Sequence, residues 1–401
     1  MRILHTADWH IGKKLHSYEL ANDFDRFIEW LQDNLQEQKV DVLLISGDVF
    51  DLANPSAAAR SQYYQSLVKL RNCVDKIILT GGNHDSPAML NAPKELMKAL
   101  NLEVIGGLPE NIEDALIPIK NKKGETEVVI AAIPFLRNPD LPIKSEVINS
   151  YEDRLEVLRK GITEVYRNAA GACAKNYPET PAIAMGHLFT AGVETSDSER
   201  DIQIGNQAAV QSSAFGEYFK YVALGHIHKP QKVNASQPVY YSGSPLPLSF
   251  SERKDEKRVL LIDTEKGWIP ESFPVPPFRK LIKISGNMEH IQLKLNQLED
   301  HGGLTQLLEI ELHEKEFQTK YIQDLEELIT NFDKKGYQVV KHKVSFKEGL
   351  KESGEFYDQH TTLKDLDPEN VFEKRLNQED FNEEERREIR MAFQELLEEI
   401  K

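Results

Sequence analysis

His226 and His228 stand two residues apart in Gly225-His226-Ile227-His228, directly after the apolar run Tyr221–Leu224. In extended chain, side chains at i and i+2 point the same way. Four earlier strand-like runs end in similar clusters. Asp8 and His10 follow Arg2–Thr6, and Asp48 in Ser46-Gly47-Asp48 follows Val40–Ile45. Asn83, His84 and Asp85 occupy Gly81-Gly82-Asn83-His84-Asp85 after Ile77–Thr80, and His187 in Gly186-His187 follows Ala182–Met185. Singly, each residue is bland: an Asp after a strand caps a helix, and a His is a satisfied polar group. Five such groups at five strand ends are not explained that way.

Imidazole, carboxylate and amide oxygen together suit Mn²⁺, Fe²⁺ or Zn²⁺, and the absence of Cys from these groups disfavours a structural zinc site. The ligands are too many for one ion. Two ions ~3.5–4 Å apart, bridged by one carboxylate, fit both the inventory and the hydrolysis of a phosphoester. The repeated glycines permit tight turns and close approach of backbone to a ligand.

The elements that must position these residues alternate in type through residues 1–270, the pattern of a layered α/β domain. Strands are predicted at Arg2–Thr6, Val40–Ser46, Lys76–Thr80, Val128–Ile133, Ala182–Met185, Tyr221–Leu224, Val239–Tyr241 and Arg258–Ile262. Helices are predicted at Leu20–Gln36, Ser56–Arg71, Pro87–Leu100 and Tyr151–Ala174. In open α/β sheets the functional crevice lies beyond the carboxyl ends of the strands, which is where every candidate falls.

Prolines cluster at Pro270, Pro274, Pro276 and Pro277, marking a boundary. A β-α-β-α-β pattern follows: Lys280–Ser285, Ile291–Leu298, Leu307–Leu312, Lys320–Phe332 and Gln338–Ser345. The expected organisation is a domain over 1–270, a second over 278–346, a polar linker over 347–365 and a helical segment over 366–401. In the last, Pro368–Asn377 and Phe381–Lys401 read as helices. The second carries Ile389, Phe393, Leu396, Leu397 and Ile400 on one face, a stripe that needs a partner surface or its own domain to cover it.

The 401 residues carry a formal net charge of −16, which argues against bulk affinity for nucleic acid but leaves room for a local basic groove. No run reaches the roughly 18 apolar residues of a membrane span, and the N-terminus lacks a signal-peptide core. The chain therefore reads as cytoplasmic. Cys73 and Cys173 lie in helix-like stretches and read as buried free thiols.

The ordered motifs D-x-H, G-D, G-N-H-D, G-H and G-H-x-H resemble those of the calcineurin-like metallophosphoesterases. A closer resemblance is to the nuclease components of bacterial SbcCD complexes, relatives of the archaeal and eukaryotic double-strand-break repair nuclease. It rests on Thr6-Ala7-Asp8-Trp9-His10-Ile11-Gly12-Lys13, on Gly225-His226-Ile227-His228-Lys229-Pro230-Gln231, and on Tyr241-Ser242-Gly243-Ser244-Pro245. It covers nearly the whole chain and is weakest after about residue 350.

The resemblance implies a four-layer metallophosphoesterase β-sandwich flanked by helices, with a small α+β capping domain and a C-terminal helical segment. It implies two Mn²⁺ per chain, with Mg²⁺, Fe²⁺ or Zn²⁺ as other ions such ligands accept. Asp8, His10, Asp48 and His228 would hold one ion; Asp48, Asn83, His187 and His226 would hold the other. His84 would then act on the substrate instead of holding metal, and Asp85 would orient its ring. The family's activity is 3′-to-5′ exonuclease action on double strands, with endonuclease cutting of single strands and hairpins. Lys13, Lys14, His16 and Arg60 are candidate DNA contacts. Further implications are a homodimer through Ser56–Arg71 and Pro87–Leu100, and an SbcC-type ABC ATPase, with a long coiled coil, gripped by the C-terminal helices in a heterotetramer. The rival reading is a small-substrate phosphodiesterase or phosphatase of the same superfamily.

Overall fold

The computed structural model describes residues 1–142, 151–196, 198–199, 209–315 and 318–346, together with positions 376 and 393. Two six-stranded sheets form its centre. The first runs, edge to edge, Glu271–Pro274, Arg258–Asp263, Arg2–Thr6, Val42–Ser46, Lys76–Thr80, Leu102–Ile105. The second runs Gln231–Lys232, Val239–Tyr241, Tyr221–Gly225, Ala182–His187, Thr126–Ala132, Leu116–Lys120. The site-bearing strands pair in parallel: Arg2–Thr6 with Val42–Ser46, that strand with Lys76–Thr80, and Ala182–His187 with Tyr221–Gly225. Their carboxyl ends therefore emerge on one side of each sheet.

All five residues of Val42–Ser46 are buried, as expected of a central strand covered on both faces. The period-two alternation divides them between two cores. Val42 and Leu44 join Ile3, Ile78, Ile130, Ile183, Met185 and Tyr221 between the sheets. Leu43 and Ile45 join Phe24, Phe27, Ile28 and Leu31 of the helix Ala21–Glu37, and Tyr63 and Leu67 of the helix Ala57–Arg71. Behind the second sheet, the helix Tyr151–Asn176 contributes Leu158, Ile162, Val165 and Tyr166. The order is thus helix, sheet, sheet, helix, the expected four-layer sandwich. Full burial of each large apolar side chain contributes roughly 1.5–3 kcal/mol, so these stripes fix the helices on the sheets.

Several elements differ from the sequence reading. The helix expected over Pro87–Leu100 is two helices, Pro87–Asn91 and Lys94–Ala99, because Pro93 cannot donate to the turn before it. The sequence reading also omits short strands, among them Leu102–Ile105, Leu116–Lys120 and Glu271–Pro274. The last lies inside the proline-marked boundary, at a sheet edge, where a strand tolerates proline. Cys73 is half-buried in the turn after Ala57–Arg71, whereas Cys173 is buried.

Beyond residue 280 the strands Leu281–Gly286, Gln306–Glu314 and Tyr337–Phe346 form a three-stranded sheet, with the helices Met288–Asn296 and Thr319–Thr330 between them in sequence. By compactness, Met1–Glu311 with Leu328–Lys343 is one unit; Leu312–Glu327 with Val344–Lys401 is another. In the first, Arg279 donates to both carboxylate oxygens of Asp23, at 2.7 Å each, and lies over the Tyr18 ring. In the second, His313 Nδ1 lies 2.6 Å from Ser345 Oγ. The two expected C-terminal helices lie outside the described residues, except Leu376 and Phe393. Among the described residues no helix is long and apolar enough to cross a membrane.

Candidate metal centre

Asp8, His10, Asp48, Asn83 and His84 leave the first sheet; His187, His226 and His228 leave the second. The structure brings all eight to the seam. His10 Nε2 and His228 Nε2 are 3.1 Å apart. His187 Nε2 is 2.9 Å from Asn83 Oδ1, and His226 Nδ1 is 3.3 Å from the same oxygen. Asp48 Oδ2 lies between the two groups, 3.6 Å from His10 Nε2, 3.3 Å from His187 Nε2 and 3.9 Å from His84 Nε2. Asp8 with His10 and His228, and Asp48 with His187 and His226, are each spaced to hold a cation; so is His10 with Asp48 and His84.

The local backbone is unusual. Asp8, His10, Asp48 and His226 all have positive φ, of 53°, 45°, 46° and 99°. Non-glycine residues adopt that region at a cost and cluster there at functional sites. Close approach of main chain accounts for Gly225: a Cβ there would meet the Ser46 carbonyl oxygen at 1.8 Å and His187 Nδ1 at 2.9 Å.

The donor set fits divalent metal. Burial holds the His10 ring neutral, lowering it to about 4, and its Nδ1 faces the Asp51 carboxylate at 3.2 Å. That leaves His10 Nε2 as a bare lone pair aimed at His228 Nε2, an arrangement that needs a proton or cation beside it. Asp8 Oδ2 is buried with no hydrogen-bond partner among the described residues, while Asp8 Oδ1 accepts the His226 amide at 2.8 Å. Burial pushes the Asp8 carboxyl up to about 7. Burial also disfavours charge on His187, but Asp48 and Asp8 outweigh it and raise that ring to about 9. The field that draws a proton here also draws a metal ion.

The group that orients His84 differs from the expectation. Its Nδ1 lies 2.7 Å from the main-chain oxygen of Asp51. The Asp85 carboxylate, expected to orient that ring, instead accepts the amides of Gly82, Val49 and Phe50 at 2.8, 3.0 and 2.9 Å. An acid one residue along the chain cannot fold back onto its neighbour's ring while bracing two loops. Burial and then Asp48 raise Asp85 to about 6.

Sequence reasoning missed two acids. Asp51, three residues after Asp48, serves both His10 and His84; that spacing was a signal. Glu252 is fully buried and pairs with the buried Lys257 at 2.5 Å, behind His228. It sits in Ser251-Glu252-Arg253-Lys254-Asp255-Glu256-Lys257, which looks like a solvated charge run, so the sequence offered no signal.

Of the candidate DNA contacts, Lys13 pairs with Asp51 at 3.0 Å and Lys14 with Glu19 at 3.0 Å. His16 stacks on Phe250, and Arg60 is exposed on Ala57–Arg71. Lys13, Lys14 and His16 share a groove of about 520 Å³ with Ser198, Lys283 and Lys341; Arg60 is not part of it.

Residues 1–230 match the calcineurin-like phosphoesterase family, and residues 277–380 match a family described as the type 5 capsule protein repressor C-terminal domain. The SbcD component of the SbcCD nuclease of Escherichia coli K12 is 32% identical over 404 residues, spanning 98% of this chain and 97% of that protein. The chain belongs to the calcineurin-like phosphoesterases, in the family of SbcD nucleases. The SbcD proteins of Rhodobacter capsulatus and Bacillus subtilis are 37% and 33% identical, over 69% and 67% of both chains. The chain is accordingly a phosphodiester hydrolase that uses divalent metal, and the clustered acids and imidazoles of the seam are its candidate metal-binding residues.

Proposed function

We propose that this chain is the nuclease component of an SbcCD-type complex and hydrolyses DNA phosphodiesters with two Mn²⁺, in the cytoplasm. The single observation that carries this reading is the seam itself: bare nitrogen and oxygen lone pairs from both sheets converge around Asp48. Asp8, His10, Asp48 and His228 would hold one ion; Asp48, Asn83, His187 and His226 the other. Ions bound there would supply an activated water and neutralise phosphate charge. Asp48 orders the two halves by facing both. His84, whose Nδ1–H donates to the Asp51 carbonyl, presents Nε2 to the substrate, where in its doubly protonated form it would give the Nε2 proton to the leaving 3′ oxygen or stabilise the phosphate. Asp85 holds the loops that carry Asp48 and His84. The product pattern is 3′-to-5′ exonuclease on double strands and endonuclease on single strands and hairpins.

In this reading 1–270 is the nuclease domain, 278–346 a capping domain, 347–365 a linker and 366–401 the segment that binds a coiled-coil ABC ATPase. The groove holding Lys13, Lys14 and His16 supports a path for DNA beside the centre. Val68, Leu96 and Leu100 are exposed apolar residues on Ala57–Arg71 and at Lys94–Leu100, and Tyr64 is partly exposed, which supports a homodimer through these helices and hence a heterotetramer. The deciding assay gives the full chain Mn²⁺ with hairpin and double-stranded DNA beside a p-nitrophenyl phosphodiester. Cleavage of DNA is expected, with loss on chelation. Cleavage of the small diester alone would mark a small-substrate phosphodiesterase.

A further inference from the structure

The imidazoles of the two halves are backed by different chemistry. His10 Nδ1 faces the carboxylate of Asp51 at 3.2 Å. His228 Nδ1 is 2.6 Å from Ser198 Oγ and 3.5 Å from Glu252 Oε1, and the Ser198 hydroxyl donates to Glu252 in turn. The His228 main chain is held as well. Its carbonyl accepts from Lys257 Nζ at 3.0 Å, and its amide donates to Glu199 Oε1 at 2.8 Å. Ring and carbonyl are therefore both gripped by one buried ion pair, Glu252 and Lys257. Lys257 pairs with Glu252 and holds it in place within a dry setting.

The other half has neutral backing. His187 Nδ1 bonds the main-chain oxygen of Ser46 at 3.1 Å; the Asp8 carboxylate is beyond hydrogen-bond reach at 3.9 Å. His226 Nδ1 faces the amide oxygen of Asn83, a fellow candidate ligand, and its other ring nitrogen, Nε2, is buried with no hydrogen-bond partner among the described residues, so no anion backs this ring. Asp8 adds an anion to the first half, where Asn83 adds none to the second, and Asp48 serves both.

We infer that the two metal positions are unequal: the position of Asp8, His10 and His228 fills first and binds more tightly. Glu252, acting with Ser198 through His228, is a positioning residue that sets this order. The inference rests on the proposed two-ion reading. A carboxylate behind an imidazole fixes its tautomer and orientation and raises its basicity; loss of such a partner typically weakens metal binding by about 10–100-fold.

The test is Mn²⁺ titration of the full chain by calorimetry, with electron paramagnetic resonance at one and two equivalents. The native chain is expected to take up two ions in events separated by about tenfold or more, showing an uncoupled Mn²⁺ signal at one equivalent and a coupled pair at two. Glu252→Gln should weaken the first event about 10–100-fold and leave the second nearly unchanged, so that coupled signal appears already at one equivalent. Asn83→Ala should weaken only the second. Circular dichroism checks folding; if Glu252→Gln does not fold, Ser198→Ala, which leaves the buried ion pair intact, takes its place in the same measurement. Two equal events in the native chain, or a first event indifferent to the folded variant, would overturn the inference alone. A single ion per chain would overturn the two-ion reading and the inference with it.

Discussion

The ring of His84 is held by its Nδ1 against the main-chain oxygen of Asp51, 2.7 Å away. Asp51 also faces His10 through its carboxylate. One short loop thus orients a candidate metal ligand and the candidate catalytic histidine. His84→Ala should retain two Mn²⁺ per chain by calorimetry while DNA cleavage falls by about 10²–10⁴-fold. Loss of an ion along with activity would place His84 among the ligands.

Metal uptake should release protons and strengthen with pH. In the metal-free chain His187 is raised from 6.5 to about 9 and Asp8 from 3.8 to about 7. Metal must displace both protons, so Mn²⁺ affinity should climb through pH 7 and level off near 9. Stability without metal runs the other way. A group with a raised folded pKa stabilises fully below its unfolded value and loses that contribution as pH rises through the folded one. The melting temperature of the chelated chain should therefore decline between 6.5 and 9, and Mn²⁺ should raise it most at the upper end. A flat affinity across that range would contradict the assignment.

The Asp23–Arg279 pair ties the helix Ala21–Glu37 to the start of the three-stranded region. Both side chains are nearly fully buried. Asp23→Ala leaves a buried guanidinium without its anion, which should destabilise the chain by roughly 3–5 kcal/mol in denaturant titration. An effect below about 1 kcal/mol would mean that the Tyr18 face and the Thr305 carbonyl suffice for Arg279.

Gly225→Ala tests how closely the sheets meet. The added methyl would strike the Ser46 carbonyl and the His187 ring, and main chain cannot rotate away. Overpacking of this kind costs about 1–3 kcal/mol or more. Melting should shift downward, and Mn²⁺ binding should weaken through His187. An unchanged melt with native metal affinity would show that the seam can open.

Much of this was legible in the sequence because the chemistry sits at strand ends. The runs before Asp48, Asn83, His187 and His226 are largely apolar, and each gives way to a polar ligand type; the run before Asp8 is more mixed, carrying Arg2, His5 and Thr6. That signal is local, so the site residues could be read in order. What escaped was non-local or short. Leu116–Lys120 contains Pro118, and Glu271–Pro274 is largely exposed; pairing with an existing sheet, not propensity, makes them strands. Glu252 escaped because its burial depends on His228 and Ser198 arriving from elsewhere in the fold, while Lys257, five residues on, reads as part of the same charge run. Proximity in sequence suggests that Asp85 serves His84, but its carboxylate accepts the amide of Gly82 in its own loop and those of Val49 and Phe50 in another.

The centre is divided between two sheets, and the division follows chain order. Asp8, Asp48 and Asn83 belong to the first quarter of the sequence; His187, His226 and His228 come more than a hundred residues after Asn83. A growing chain therefore displays its carboxylates on a half-built scaffold well before any second-sheet imidazole exists. Metal capture of the kind proposed is consequently a late event in biogenesis, open only once the return strand Tyr221–Gly225 has zipped against Ala182–His187. Any truncated product that stops short of that step would carry the acids without the trap.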